Sequence, residues 1–431
     1  MSRYHSYLNT STAIIRQYDG SVPLAVFLRS FFAADKKYGS KDRKQISHLC
    51  YCYYRTGKVS PHGTPADADA LQARILAGLF LCSSQPDEML RQLRPAWNEN
   101  VYLSIEEKCA IINGSDHPVK DPALIYRYAL LAVFPWKEAL SEGMDHAGFC
   151  RSFFIQPDLF LRVRPGFTAM VKQKIDAAGI PYRLIHENCI AIDNAAKIDT
   201  VIERDKEAVI QDYSSQQVSE FLKPLQRDKA LRVWDCCAAS GGKSILARDI
   251  LKNIELTVSD IRKSMLINLE KRFAAAGIKE YTARVIDLTV SHSLFPIPHS
   301  PSALHPALST FPSSLFDLII CDAPCSGSGT WARTPEQLYF WKEENILHYT
   351  ALQKKILTNI IPFIKPGGYL LYITCSVFRQ ENEEIVKDVE KGFGLQPVKM
   401  EVLKGYDKKA DTMFAALLIR PPVDLRFEID C

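Results

Sequence analysis

The chain has 431 residues, 47% of them hydrophobic and 24% charged, with a formal net charge of +4. That length suits two or three domains and that composition a globular protein, while the mild basicity permits a nucleic-acid partner without requiring one. No apolar run approaches the length of a membrane span, and the first twenty residues, MSRYHSYLNTSTAIIRQYDG, lack an apolar core and a small-residue cleavage site, so neither a membrane segment nor a secretory signal is expected. Twelve cysteines are scattered through apolar segments without zinc-type spacing, which points to a reduced, cytoplasmic chain with no structural metal.

Residues 1–145 read as an all-α domain. Apolar residues recur at three- and four-residue spacings in VPLAVFLRSFF (22–32), DRKQISHLCYCYYR (42–55), LQARILAGLFLC (71–82) and residues 123–134. Ser40 is placed to cap the second of these, and breaks fall at residues 60–65 and 113–118. Lys36, Lys37, Lys41, Arg43 and Lys44 cluster at that helix start, as a solvated cap or as a phosphate-contacting patch. Residues 146–205 change texture: FLRVRPG, VKQKIDAAGIPYRLI and CIAID read strand, helix, strand, a small α/β subdomain. Arg162 and Arg164 alternate about Val163 and share one sheet face, an arrangement that suits a nucleic-acid backbone. A polar run, QDYSSQ (211–216), precedes a short helix at 218–222. Across residues 206–431, strands LRVWD, ELTVSD, ARVID, LIICDA and YLLYITC alternate with helices and end in FAALLIR, predicting a doubly wound parallel sheet of Rossmann-like type. Residues 289–314, rich in Pro, Ser and His, read as a surface insertion.

In such sheets the ligand lies beyond the carboxyl ends of the strands. The first end is DCCAASGGKS (235–244). Its small residues let backbone approach a ligand closely, yet the upstream glycine of a phosphate-binding GxxxxGK[ST] would fall on Cys237, so that reading fails. Cys237, Ala238, Ala239, Ser240, Gly241, Gly242 and Lys243 are therefore candidates for holding a nucleotide-like cofactor without a pyrophosphate. Asp260, about 20 residues on, is placed for ribose hydroxyls. Asp287 is placed for a base or sugar edge, or as a helix cap. Ribose plus a non-phosphate tail points to S-adenosylmethionine. Cys236, Cys237 and Cys321 read as small core residues. Cys325 and Cys375 differ, because each lies just beyond a strand among turn residues. Two thiols and a carboxylate, Asp322, beside a methyl donor suit methylation at carbon-5 of a pyrimidine. A thiolate added at carbon-6 makes carbon-5 nucleophilic, and a base then removes the carbon-5 proton so that the thiol can leave. A carboxyl group at the base edge selects cytosine. The residues alone leave the two cysteines interchangeable.

DCCAASGGKS, DAPCSGSGTWARTPE (322–336) and YITCSVFRQENEE (372–384) together resemble the RNA 5-methylcytosine methyltransferases of the RsmB/Nop2/Sun family. QDYSSQ, FLRVRPG and ADTMFAALL are similar to that family's lead-in, RNA-contacting strand and closing strand, and YGSKDRKQISHLCYCYYR is similar to the NusB-like domain of the bacterial RsmB subgroup. The resemblance implies a NusB-like domain at 1–145, an RNA-recognition subdomain at 146–205 and a catalytic domain at 206–431. It implies that Cys375 attacks carbon-6, Cys325 assists proton removal and release, Asp322 faces the cytosine, and Lys243 sits near the methionine carboxylate or Asp322. Residues 237–243, Asp260, Asp287 and Asp322 would line the S-adenosylmethionine site. Arg162, Arg164, Lys41 and Arg43 would contact RNA. The expected partner is RNA, most naturally 16S rRNA, for a monomer with no membrane and no metal. Other outcomes are a transfer-RNA or other RNA cytosine methyltransferase, or an RNA-binding ribosome-assembly factor of weak activity. Three departures stand out. Ser240 replaces the usual Pro and is expected to loosen its loop. Leu288-Thr289 follow Asp287, and Thr412-Met413 replace Gly-Phe.

Overall fold

The computed structural model of the protein describes residues 3–35, 37–58, 67–114, 128–290 and 315–422. Lys36, the break at 60–65, most of the break at 113–118, the first part of 123–134 and nearly all of the 289–314 insertion lie outside them. The chain forms two compact units. One comprises Met1–Leu140, Met144–Pro157 and Thr330–Glu343; the other comprises Ser141–Gly143, Asp158–Gly329 and Glu344–Cys431. No helix among the described residues is long and apolar enough to cross a membrane.

The first unit is helical, as its periodicity predicts, and fits a NusB-like expectation. Its helices include Arg3–Gln17, Leu24–Ala34, Ser40–Arg55, Ala68–Cys82 and Ile105–Gly114. Ala68–Cys82 is apolar on nearly every side and sits at the centre, with Leu71, Ile75, Leu79 and Phe80 fully buried. It starts where Asp67 accepts the Ala70 N–H at 2.7 Å. Gly78 brings it against Ser40–Arg55 so closely that a Cβ there would lie 2.5 Å from the Cys52 carbonyl oxygen. Ser40 is the first helical residue rather than the cap. Gly39 precedes it, and Asp42 reaches back to accept the Gly39 N–H at 2.9 Å. Of the helix expected at 123–134, the described part holds one 3₁₀ turn, Leu130–Ala132. Thr330–Glu343 also belongs to this unit, which no local pattern signals. In this unit Glu336 Oε1 accepts the Leu24 N–H at 3.2 Å, and Tyr339 and Phe340 pack edge-on or tilted against Tyr53 and Tyr54.

The second unit carries two sheets. In the smaller one, β1 (Leu159–Val163), β2 (Tyr182–His186), β3 (Cys189–Ile192) and β4 (Ala208–Ile210) run in the order β2-β3-β1-β4. Residues 182–186, expected as the tail of a helix, are strand β2, because the helix Thr168–Ala177 stops before Gly179 and Pro181. The larger sheet comprises β5 (Leu231–Asp235), β6 (Ile254–Asp260), β7 (Thr282–Val285), β8 (Phe316–Asp322), β9 (Ile364–Thr374), β10 (Gln396–Leu403) and β11 (Met413–Ile419), ordered β10-β11-β9-β8-β5-β6-β7. Strands β5 to β9 are parallel, and β11 and β10 close the edge antiparallel. Alternate residues of each central strand enter opposite cores. Leu318 and Ile320 pack with Ile245, Leu246 and Leu269, whereas Ile319 and Cys321 pack with Ile356, Ile360 and Ile385. Burial on both faces explains why these strands read as unbroken apolar runs. The chain winds from β5 toward β7 on one side and from β8 onward on the other, so the loops after β5 and β8 flank the switch point.

Arg162 and Arg164 do share a face, but that face is internal. Arg162 is 7% exposed; it donates to Asp249 at 2.5 Å and to Gln211 at 2.7 Å. Arg164 donates to Asp249 at 2.8 Å and to the Asp205 and Ala276 carbonyls. Alternation identified the shared face but not the carboxylate on it, so these arginines clamp β1 to the helix Gly242–Leu251 rather than offering charge to phosphates. Removing one partner of a buried pair strands the other charge. Asp249→Ala should therefore cost about 3–5 kcal/mol in urea denaturation; a loss below about 1 kcal/mol, typical of an exposed pair, would contradict this account.

Candidate functional site

The loop after β5 is a sharp turn built from small residues. Ala239 (φ 45°) and Gly241 (φ 84°) adopt left-handed backbone, and a Cβ at Gly241 would strike Phe273 at 2.7 Å. The turn is pinned from β6: Ala238 N–H donates to the Ser259 carbonyl, and Ala239 N–H donates to Asp260 Oδ2, both at 2.9 Å. Asp260 also accepts the Arg262 N–H at 2.8 Å. The structure thus joins Asp260 to the loop that the sequence paired with it. Ser240 does not loosen this loop. Arg272 donates to its hydroxyl at 2.9 Å and its carbonyl at 3.1 Å while pairing with Asp205. Asp287 stands beyond β7 at the sheet edge and accepts from the Thr289 N–H and hydroxyl, so its turn is self-capped.

Lys243, 9% exposed, extends from the first turn of the helix Gly242–Leu251 and donates to Asp322 at 3.0 Å and to Ser215 Oγ at 2.9 Å. One ammonium therefore connects the loop after β5, the end of β8 and the QDYSSQ lead-in. The contribution of Ser215 was missed; its one signal was the polar run itself. Asp235, at the end of β5, is wholly buried. Its Oδ2 accepts from Ser244 at 2.6 Å, while Oδ1 lacks a partner. Burial, with Asp322 and Cys237 adding to it, pushes this carboxyl up to about 7.

Cys325 and Cys375 come from the loops after the adjacent strands β8 and β9, and their sulfurs lie 3.3 Å apart. The contact with Cys375, then burial, raises the Cys325 thiol well above its ordinary value. A backbone knot holds the loops: Gly329 N–H donates to the Cys375 carbonyl and Thr412 N–H to the Gly329 carbonyl, both at 2.9 Å. The departure at Thr412-Met413 leaves this backbone bonding in place. Glu381, which the sequence did not single out, is buried behind both loops, and the serines following the two cysteines donate to it. Cys236 and Cys321 are core residues as expected, and with half-buried Cys237 their sulfurs lie within 4.8 Å of one another. Lys41 and Arg43 are exposed on the first turn of Ser40–Arg55 in the helical unit.

A parallel sheet with this strand order, a small-residue turn after its first strand and an acidic residue ending the second define a Rossmann-like methyltransferase unit. Residues 219–414 match the family described as 16S rRNA methyltransferase RsmB/F. The chain is 30% identical over 257 residues to the probable ribosomal RNA small subunit methyltransferase B of Bacillus subtilis, covering 57% of this chain and 54% of that protein. It is also 30% identical over 282 residues to ribosomal RNA small subunit methyltransferase B of Photorhabdus laumondii, covering 63% and 57%. It thus spans little more than half the length of these relatives. The crystal structure of PH0851 shares the fold over 97% of this chain and 99% of its own, with TM-score 0.64 and 20% identity.

Asp235 makes the site's energetics pH-dependent. Its folded-state value is raised, so the folded chain keeps this proton to about pH 7, whereas the unfolded chain releases it near the ordinary aspartate value of 3.8. Its stabilising contribution therefore drains away as pH rises through that window. Asp235→Asn should gain on the wild type by about 2–3 kcal/mol between pH 5 and pH 8, at 1.36 kcal/mol per unit. Urea denaturation at the two pH values measures it; an unchanged difference would mean that Asp235 does not titrate there.

Proposed function

We propose that the protein is a cytoplasmic, S-adenosylmethionine-dependent RNA methyltransferase that methylates carbon-5 of a cytosine, with small-subunit rRNA as its substrate. The observation that carries this reading is the pair of thiols, 3.3 Å apart, on the loops next to Asp322 and Lys243. A second thiol at that distance has no use in a single-nucleophile mechanism, but it suits a reaction in which one sulfur attacks and another group must clear the adduct. The names of the relatives favour rRNA.

The residues beyond β5 and β6 suit the cofactor. The turn at 238–242 is made of side chains no larger than serine, and a Cβ on Gly242 would come no closer than 3.9 Å to any neighbour. Backbone at this turn can therefore approach a ligand, while Asp260 is set for ribose hydroxyls. When bound, S-adenosylmethionine supplies an electrophilic methyl group on a sulfonium. Lys243 holds Asp322 in place from behind, and Asp322 hydrogen-bonds the amine and ring-nitrogen edge of cytosine. Cys375, as thiolate, forms a bond to carbon-6, and the displaced π pair makes carbon-5 nucleophilic. Carbon-5 takes the methyl group, and its proton is then removed with the help of Cys325. That electron pair restores the 5,6 double bond as the Cys375–carbon-6 bond breaks. The base must leave its stack to reach these residues.

Cys375→Ala should abolish methylation in vitro, and Cys325→Ala should accumulate a denaturation-resistant protein–RNA complex. Product release at the wild-type rate by the latter would remove Cys325 from resolution. Bisulfite sequencing of RNA from a strain lacking the protein tests the substrate: loss of one rRNA methylcytosine is expected, and an unchanged rRNA pattern would refute the assignment. Asp260→Ala should weaken S-adenosylmethionine binding by about 1–3 kcal/mol in calorimetry; unchanged affinity would take Asp260 out of the cofactor site.

A further inference from the structure

The loops carrying Cys325 and Cys375 leave neighbouring strands with no covalent link between them. Each cysteine is followed by a serine, and both serine hydroxyls, Ser326 Oγ and Ser376 Oγ, donate to Oε2 of Glu381 at 2.5 Å. The other oxygen, Oε1, accepts the Ser326 N–H at 2.8 Å and Gln353 Nε2 at 3.1 Å. Gln353 also donates to the Pro324 carbonyl at 3.1 Å, one residue before Cys325. Four donors thus occupy a carboxylate that offers about four lone-pair directions. Glu381 and Gln353 are both 0% exposed. Burial raises the Glu381 carboxyl while the Ser326 and Ser376 donors pull it back. A carboxylate costs more to bury than an apolar side chain of its size. What it supplies here that an apolar group could not is a bridge between the residues adjoining two separate cysteines.

We propose that Glu381 is the positioning residue of the two-cysteine site: its carboxylate sets the separation and mutual aim of Cys325 and Cys375 by accepting from the serine that follows each. The proposal rests on the reading of these thiols as a reacting pair. Misplacement of a reacting group by about 1 Å costs a rate on the order of 10², so a bridge that fixes both sulfurs against one base acts on turnover rather than on RNA affinity.

The test uses the full chain without RNA or cofactor. Diamide takes two electrons and two protons from the thiol pair, giving the Cys325–Cys375 disulfide and a hydrazine. The linked peptides are followed by mass spectrometry after the remaining thiols are alkylated under denaturing conditions. Glu381→Ala should slow this linkage roughly tenfold or more, as lost preorganisation lowers the effective concentration of one thiol at the other. Glu381→Gln removes the charge and keeps an accepting oxygen between the serines, but its amide nitrogen meets the Ser326 N–H and the Gln353 amide, so its rate should fall between wild type and Glu381→Ala, whereas a rate as low as that of Glu381→Ala would assign the effect to charge. That contrast separates positioning from the effect of charge on the thiols. In methylation assays Glu381→Ala should lower kcat and leave KM for RNA unchanged. A Glu381→Ala protein with wild-type circular dichroism and a wild-type linkage rate would overturn the proposal. Should that variant not fold, Ser376→Ala removes one hydroxyl from the bridge, and wild-type linkage in it would overturn the proposal equally. Slowed linkage in Glu381→Ala together with no RNA methylation by the wild type would refute the functional reading and leave the positioning role standing.

Discussion

Only a hydrogen atom fits on the α-carbon of residue 329. A Cβ there would lie 1.9 Å from the Thr412 carbonyl oxygen and 3.1 Å from that of Cys375, and neither backbone atom can swing aside as a side chain would. Gly329 sits in the loop after β8, Cys375 in the loop after β9, and Thr412 at the entry to β11. The three strands are consecutive in the sheet, so their ends are neighbours in any case. The missing side chain lets them close into backbone contact, and that closure faces one sulfur against the other. Had any larger residue stood at 329, the strand order would survive but the loops would splay.

The sequence made the strand ends legible because burial on both sheet faces leaves an apolar run that stops abruptly at Asp235, Asp260 and Asp322. It also exposed the two cysteines, since a thiol among Pro, Gly and Ser is out of place in a core. It could not show what holds them. Glu381 lies 55 residues from Ser326 in the chain, and nothing in RQENEE tells its first glutamate, which is buried, from Glu384, which pairs at the surface with Arg379. The same limit applies to Thr330–Glu343. Nothing in TWARTPEQLYF names its packing partner, and only tertiary structure shows Glu336 accepting the first N–H of the helix Leu24–Ala34, 312 residues away. Local pattern gives period and face; it does not give the partner across a long loop closure.

Arginine placement shows why net charge says little about an RNA-binding surface. Arg162 and Arg164 spend their charge on Asp249, and Arg272 spends its charge on Asp205 while bonding Ser240. These are ties between the smaller sheet, its following loop and the cofactor-type turn. They also hold the turn with a serine at the position where the family that the sequence resembles is expected to carry proline. The rigidity that a ring would supply from within comes here from a guanidinium outside, which grips both the carbonyl and the hydroxyl of residue 240.

The carboxylates near the strand ends divide by what reaches them. Glu381 and Asp235 are sealed from solvent, and both are raised by burial. Glu381 takes two serine hydroxyls, a backbone N–H and the Gln353 amide, and Asp235 takes the Ser244 hydroxyl, so they serve the frame. Asp260 keeps one oxygen on the turn it pins and the other on Arg262. Asp322 alone of the four combines a cation behind it with a side chain 32% exposed in front. A carboxylate that must recognise a base has to remain accessible while staying fixed. The Lys243 contact, itself braced by Ser215, supplies the fixing without covering the face. In the proposed reaction the burial of Lys243 would be part of how Asp322 meets a base: an exposed lysine would follow its carboxylate into solvent, whereas one anchored at both the lead-in and the helix holds it at a set place on the rim.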